Sequence, residues 1–215
     1  MTDVYLESGS RRVFACAIDW PGWSRSGKDE RSALEALAAA APRYAAVAKA
    51  ARVAFPIRAG ESLEVVERLA GNATTDFGAP GAIPSRDRKP SSAAEATRIG
   101  GLVAASWRAL ERTAAGAPAS LRKGPRGGGR DRDAIVAHVY SAESMYARKL
   151  GLRFPEPSPD DRRAIKAMRD AILAVLSAPS KGRAPVEKGW PPRYAARRIA
   201  WHALDHAWEI EDRGA

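Results

Sequence analysis

Four segments in the second half of the chain repeat apolar residues at the spacing of an α-helix. A helix with one apolar face buries that face against another element, so four such helices in succession favour a four-helix bundle. In the first segment the residues that share a face are Ile99, Leu102, Val103, Ser106 and Leu110. We therefore expect helices over about residues 92–115, 132–150, 159–177 and 192–213.

The first half of the chain has the pattern of a small sheet with helices. Val4–Ser8 and Arg12–Ile18 are typical of two strands joined by a tight turn. A short extended piece then leads to a helix that runs from about Lys28 to Ala51, and Pro42 is expected to kink or split it. Residues 62–69 fit a strand or a helix, and we favour a strand that returns to the first sheet.

A run rich in glycine, proline and charge separates these two patterns between Gly78 and Pro90. Such a composition is typical of an interdomain linker. We therefore predict an α+β protein with a small sheet-and-helix domain over residues 1–77, a linker over 78–90 and a helical bundle over 91–215. With 215 residues, the chain is long enough to bury a hydrophobic core.

The composition limits the location and the partners of the protein. The single cysteine, Cys16, excludes a disulfide scaffold and fits a reducing cytosol. The sequence shows no secretory signal and no run of roughly 20 apolar residues, so we expect a cytoplasmic protein without a membrane span.

The chain carries a formal net charge of +10, which favours an anionic partner such as nucleic acid, an acidic lipid surface or a negatively charged small molecule. The alternative is that the charge has no binding role, because an arginine-rich, alanine-rich composition also arises from a GC-rich genome. We expect a small-molecule substrate, and nucleic acid is the less favoured partner. The glycine- and arginine-rich stretch 121–130 either brings backbone N–H groups near an anion or forms a solvated loop.

The only three histidines of the chain fall on two of the predicted bundle helices. His202 and His206 are four residues apart, which places both on one face of the last helix, and His138 lies on the apolar face of the second. One interpretation is three core histidines bonded to carbonyls or water. The other is a site for one divalent ion, and three imidazoles leave a coordination position open for chemistry. We expect zinc first, with nickel or iron as alternatives.

Two carboxylates, Asp205 and Glu209, lie beside the stripe of the last two histidines. One of them is a candidate to orient an imidazole or to act as a base, which would make it a catalytic residue. The alternative is that both are solvated carboxylates on the helix surface.

An inward histidine on one helix and the sequence His-Ala-Leu-Asp-His on a final helix resemble the DinB-like four-helix-bundle family over about residues 90–213. The resemblance implies a metal held by His138, His202 and His206. It also implies a thiol transferase that uses a low-molecular-weight thiol such as bacillithiol or mycothiol.

The order strand, strand, Asp-Trp-Pro-Gly-Trp at Asp19–Trp23 and acidic helix resembles the HicB-like antitoxin fold over about residues 1–70. Tyr194, Trp201 and Trp208 recur every seven residues on the last helix, so we expect them to pack against this N-terminal part or against a second copy in a homodimer.

Two functions follow from these patterns. The favoured one is metal-dependent transfer or hydrolysis acting on a small molecule, with a thiol as a candidate cosubstrate. The alternative is a non-catalytic regulatory or binding module that contacts protein or RNA through the HicB-like part.

Overall fold

The structure, a computed structural model, describes residues 1–124 and 129–214. The first half of the chain contains strands and short helices, and the second half is helical. Within the described residues the elements follow this order: β1 Thr2–Ser8, β2 Val13–Ala17, β3 Ser24–Gly27, α1 Glu30–Ala39, α2 Ala41–Ala50, β4 Leu63–Ala70, α3 Ala73–Phe77, a 3₁₀ helix Ser85–Arg88, α4 Ala93–Gly116, α5 Arg132–Lys149, α6 Arg162–Leu176 and α7 Pro192–Gly214. The α+β class predicted from the sequence is confirmed.

One mixed sheet has the strand order β3-β2-β1-β4. β1 and β2 pair antiparallel through the tight turn between them, β2 and β3 also pair antiparallel, and β4 returns parallel to β1. The strand predicted over 62–69 is therefore confirmed, and the short extended piece before the first helix is an edge strand. Parallel pairing needs a crossover connection, which the two helices between β3 and β4 provide.

The long helix predicted over about residues 28–51 is two helices. Asp29 caps α1 by accepting a hydrogen bond from the backbone N–H of Ser32 at 2.8 Å. α1 ends at Ala39, and Pro42 lies in the first turn of α2, where a missing N–H costs no helical hydrogen bond. Proline therefore splits the segment, one of the two outcomes that the sequence allowed.

Both faces of the sheet are covered. Val4 and Leu6 face the helices and belong to the main hydrophobic core, whereas Tyr5 and Phe14 lie on the opposite face. There the ring of Trp201 from α7 packs edge-on against Phe14, with ring centroids 6.0 Å apart. Trp201 of the aromatic stripe therefore packs on the N-terminal sheet of the same chain, which was one of the two expected partners.

The segment 78–90 connects the sheet to the bundle and is held at several points. The carboxylate of Glu7, fully buried on the second face of the sheet, accepts hydrogen bonds from the N–H groups of Gly81 and Ala82 at 2.8 and 2.9 Å. Asp87 in the 3₁₀ helix is 1% exposed. The division into two domains stays a prediction.

Helices α4, α5, α6 and α7 all pack against one another, and each predicted boundary lies within three residues of the observed one. The predicted face of α4 is buried along its length. Among the described helices, none has both the length and the apolar character needed to cross a membrane. The packing of α5 against α7 brings the histidine-bearing faces together.

Candidate metal centre

The three histidines converge between α5 and α7. Nε2 of His138 lies 3.2 Å from Nε2 of His202, and one ring nitrogen from each of the three residues lies within 4.8 Å of the others. The ring centroids are 4.8 to 5.2 Å apart, with each pair of rings nearly perpendicular. His202 is buried, and the other two histidines are half-buried, so the cluster approaches the surface on the side of His138 and His206.

The separation of the ring nitrogens fits a shared ion. Two nitrogens that each lie about 2.0–2.1 Å from one tetrahedral ion are about 3.3 Å apart. The two Nε2 atoms of His138 and His202 are at 3.2 Å, so one ion between them needs little rearrangement. Three imidazoles suit zinc, nickel, iron or copper, and the donor set does not choose among these metals.

Glu209 fixes the orientation of one imidazole. Nδ1 of His206 donates a hydrogen bond to Oε2 of Glu209 at 2.8 Å, since an ionised carboxylate can only accept. This proton on Nδ1 leaves the Nε2 lone pair of His206 free for an ion. Hydrogen bonds from His206 and from Arg213 hold the pKa of Glu209 below its usual range.

His202 is held in its neutral form. Burial, together with the positive charges of His206 and His138 when protonated, brings the pKa of His202 well below its usual value. Burial and His206 also lower the pKa of His138. In the described part of the chain, Nδ1 of His202 is buried without a hydrogen-bond partner. A neutral imidazole is the form that binds a metal, so these shifts favour the ligand state.

The second candidate carboxylate, Asp205, faces a different neighbour. Its Oδ1 accepts a hydrogen bond from Nη1 of Arg25 on β3 at 3.0 Å. Burial raises the pKa of Asp205, and the charge of Arg25 opposes that shift. The structure thus places Glu209 on an imidazole and Asp205 in an ion pair with the sheet.

Sequence reasoning did not connect three other side chains with the cluster: it named Trp201 only for packing against another part of the protein, and it did not name Tyr146 or Arg198. The rings of Tyr146 and Trp201 lie 5.7 and 6.0 Å from the ring of His202. The guanidinium of Arg198 lies 4.9 Å from the ring of Trp201 and 5.9 Å from that of Tyr146. Helical spacing was the available signal, because Arg198 precedes His202 by four residues and Tyr146 follows His138 by eight.

Comparisons of the chain with models of protein families, with curated proteins and with solved structures find no match. The DinB-like and HicB-like resemblances therefore stay predictions.

Proposed function

We propose that this chain is a DinB-like metal-dependent enzyme, a thiol transferase or a hydrolase, that acts on a small molecule. His138, His202 and His206 would hold one divalent ion, with zinc as the first expectation. The observation that carries the proposal is the 3.2 Å approach of the Nε2 atoms of His138 and His202, with the third ligand atom within 4.8 Å. Without an ion, the Nε2 atoms of His138 and His202 have each other as partners, and that contact is a hydrogen bond only if one of the two nitrogens carries a proton.

The chemistry that an ion supplies at such a site is a lower pKa for a water or thiol that reaches it. The chain's own residues prepare the site. Glu209 keeps the Nδ1 proton on His206, and Arg213 keeps Glu209 ionised through its Nη1, 2.6 Å from Oε1. The half-buried side of His138 and His206 is the side on which a substrate can enter.

The chain supplies no thiol of its own to this reaction. Its only cysteine, Cys16, is buried in the sheet, and its sulfur lies 2.7 Å from the hydroxyl oxygen of Ser24. A transferase reaction at the histidines therefore needs a low-molecular-weight thiol as cosubstrate, which is what the DinB-like resemblance implies. A hydrolase reaction needs only water.

Metal analysis of protein purified without an affinity tag tests the proposal. We expect close to one divalent ion per chain in the wild type and almost none in His202→Ala, with unchanged circular dichroism. Asp205→Asn is the matched control on the same helix turn, because its carboxylate pairs with Arg25, and it should keep the ion. A folded wild type that binds no added zinc, nickel or iron contradicts the proposal.

If the metal is bound, turnover separates the two reaction classes. The metal-loaded protein is incubated with small thiols and electrophiles, and separately with hydrolysable esters and amides. Activity that disappears with a chelator and in His202→Ala supports an enzyme of one class. Metal binding with no turnover of either kind would contradict the enzymatic part of the proposal.

A further inference from the structure

One arginine of α7 differs from the other three. Arg198 has no carboxylate oxygen within 4.0 Å among residues 1–124 and 129–214. Each of the other three has an acidic partner: Arg193 with Glu95 at 2.9 Å, Arg197 with Asp87 at 2.8 Å, and Arg213 with Glu209 at 2.6 Å. Partial burial of a guanidinium without a counter-ion costs free energy. A bound anionic ligand would supply the missing counter-ion of Arg198.

Arg198 is held beside the histidines. Its guanidinium lies against the rings of Trp201 and Tyr146, and both rings also contact the ring of His202. Nη1 of Arg198 donates a hydrogen bond to the carbonyl of Pro80 at 3.0 Å, and this bond fixes the direction of the side chain. A guanidinium has five N–H donors, so donors remain for a ligand.

The surroundings of the cluster carry excess positive charge. Arg198 lies against the two rings that contact the ring of His202, and Arg130 lies in the loop that leads into α5, the helix that carries His138. Arg130 likewise has no acidic partner within 4.0 Å in the part of the chain that the structure describes; residues 125–128 of its loop lie outside that part.

The acids beside the cluster offset only part of this charge, because each of them has an arginine partner. Glu209 is neutralised by Arg213, and Asp205 is neutralised by Arg25. Any divalent ion would add two further positive charges. A site that holds a divalent ion and carries these arginines attracts an anion.

We infer that the substrate of this site is a small oxyanion-bearing molecule, whose carboxylate or phosphate group binds Arg198 while its reacting atom lies at the histidine cluster. This inference rests on the proposed function for the reaction, and on the unpaired arginine for the substrate class. The planar fork of a guanidinium matches two oxygens of a carboxylate or a phosphate, which sets the orientation of the bound molecule.

Calorimetric titration with simple anions tests the inference. Zinc-loaded wild type, Arg198→Gln and Arg31→Gln are each titrated with inorganic phosphate and with succinate, and the neutral diamide of succinate is the control ligand. Arg31→Gln removes the same charge from an exposed site on α1. We expect Arg198→Gln to weaken binding of at least one anion about tenfold or more, because it removes charge-assisted hydrogen bonds. Arg31→Gln should match the wild type.

Three results overturn the inference: neither anion binds the wild type, Arg198→Gln binds both as tightly as the wild type does, or the diamide binds as tightly as succinate. The same titrations on chelator-treated protein separate this inference from the metal proposal. Anion binding that depends on Arg198 in a protein without metal affinity contradicts the metal proposal alone. Metal binding with anion affinity independent of Arg198 contradicts the substrate class alone.

Discussion

Arg197 of α7 and Asp87 of the 3₁₀ helix form an ion pair that is closed to solvent on both sides. Nη2 of Arg197 lies 2.8 Å from Oδ1 of Asp87, and the two side chains are 4% and 0% exposed. The same guanidinium donates hydrogen bonds to the carbonyls of Ala17 and Ile18 at 2.7 and 2.8 Å. One side chain therefore joins the last helix, the segment before the bundle and the end of β2.

Breaking the ion pair between Arg197 and Asp87 should greatly lower the free energy of unfolding. We expect Asp87→Asn to lower the free energy of unfolding by about 3–5 kcal/mol, because it leaves a buried guanidinium without its counter-ion. Urea unfolding followed by circular dichroism measures the change. Glu35→Gln, which removes the exposed partner of Arg31, is the control and should change the free energy by less than about 1 kcal/mol. If Asp87→Asn and Glu35→Gln lower the free energy of unfolding equally, the buried ion pair of Asp87 does not stabilise the fold as we expect.

Removing the carboxylate behind His206 should weaken metal binding without abolishing it. We expect Glu209→Ala to lower the affinity for zinc about 10- to 100-fold, because His206 loses the acceptor that fixes its tautomer and ring orientation. Competition with a chromophoric chelator measures the affinity. Asp205→Asn should stay close to the wild type. If both variants lose the same affinity, the loss comes from charge alone and not from the hydrogen bond to Nδ1.

Gly22 in the Asp-Trp-Pro-Gly-Trp turn should not tolerate a side chain. Its φ is +93°, and an added Cβ would lie 2.8 Å from Cδ1 of Leu204 and 3.0 Å from Cβ of Ala200 on α7. We expect Gly22→Ala to lower the melting temperature, at a cost of about 1 kcal/mol or more. Gly116→Ala, where an added Cβ meets nothing within 4 Å, should be neutral or stabilise α4 by up to about 1 kcal/mol. A stable Gly22→Ala protein would mean that the turn does not touch α7.

The thiol of Cys16 should be inert in the native protein. Burial raises the pKa of Cys16 to about 12. Because the ordinary thiol pKa in an unfolded chain is about 8.5, the unfolded chain loses this proton first, and stability falls as pH rises above that value. We expect a loss of about 1.4 kcal/mol per pH unit from this group.

Two measurements check the thiol prediction. A coloured disulfide reagent at pH 8 should react with Cys16 only after urea is added. Unfolding curves at pH 8.5 and 9.5 should differ more for the wild type than for Cys16→Ala. Fast native labelling would show that the sheet opens on that face.

Local pattern explains which parts of the fold were predictable. The faces of α4 and α7 repeat at helical spacing, and His202 and His206 fall on such a face of α7, so these helices and the pair of histidines could be read from the chain. The position of His138 beside them depends on the packing of α5 against α7. Ser24–Gly27 became a strand only because β2 offers an edge to pair with. No local preference of Ser-Arg-Ser-Gly indicates that outcome.

Contacts between distant residues could not be predicted. Asp205 and Glu209 are equivalent in the sequence, and they differ in the structure because Arg25, 180 positions away along the chain, pairs with only one of them. The segment 78–90 has the composition of a linker, yet Asp87 is buried by an arginine 110 residues later. These outcomes depend on partners that no sequence window contains.

The shared use of α7 limits how this protein can change. Trp201 and His202 are adjacent residues of this helix with different partners. Trp201 packs on the sheet, whereas His202 contributes to the histidine cluster. Inserting or deleting one residue between Arg197 and His202 would rotate everything beyond it by about 100° relative to the sheet. This stretch can therefore accept substitutions but not insertions or deletions. Its length is fixed both by the packing on the sheet and by the position of the histidine cluster.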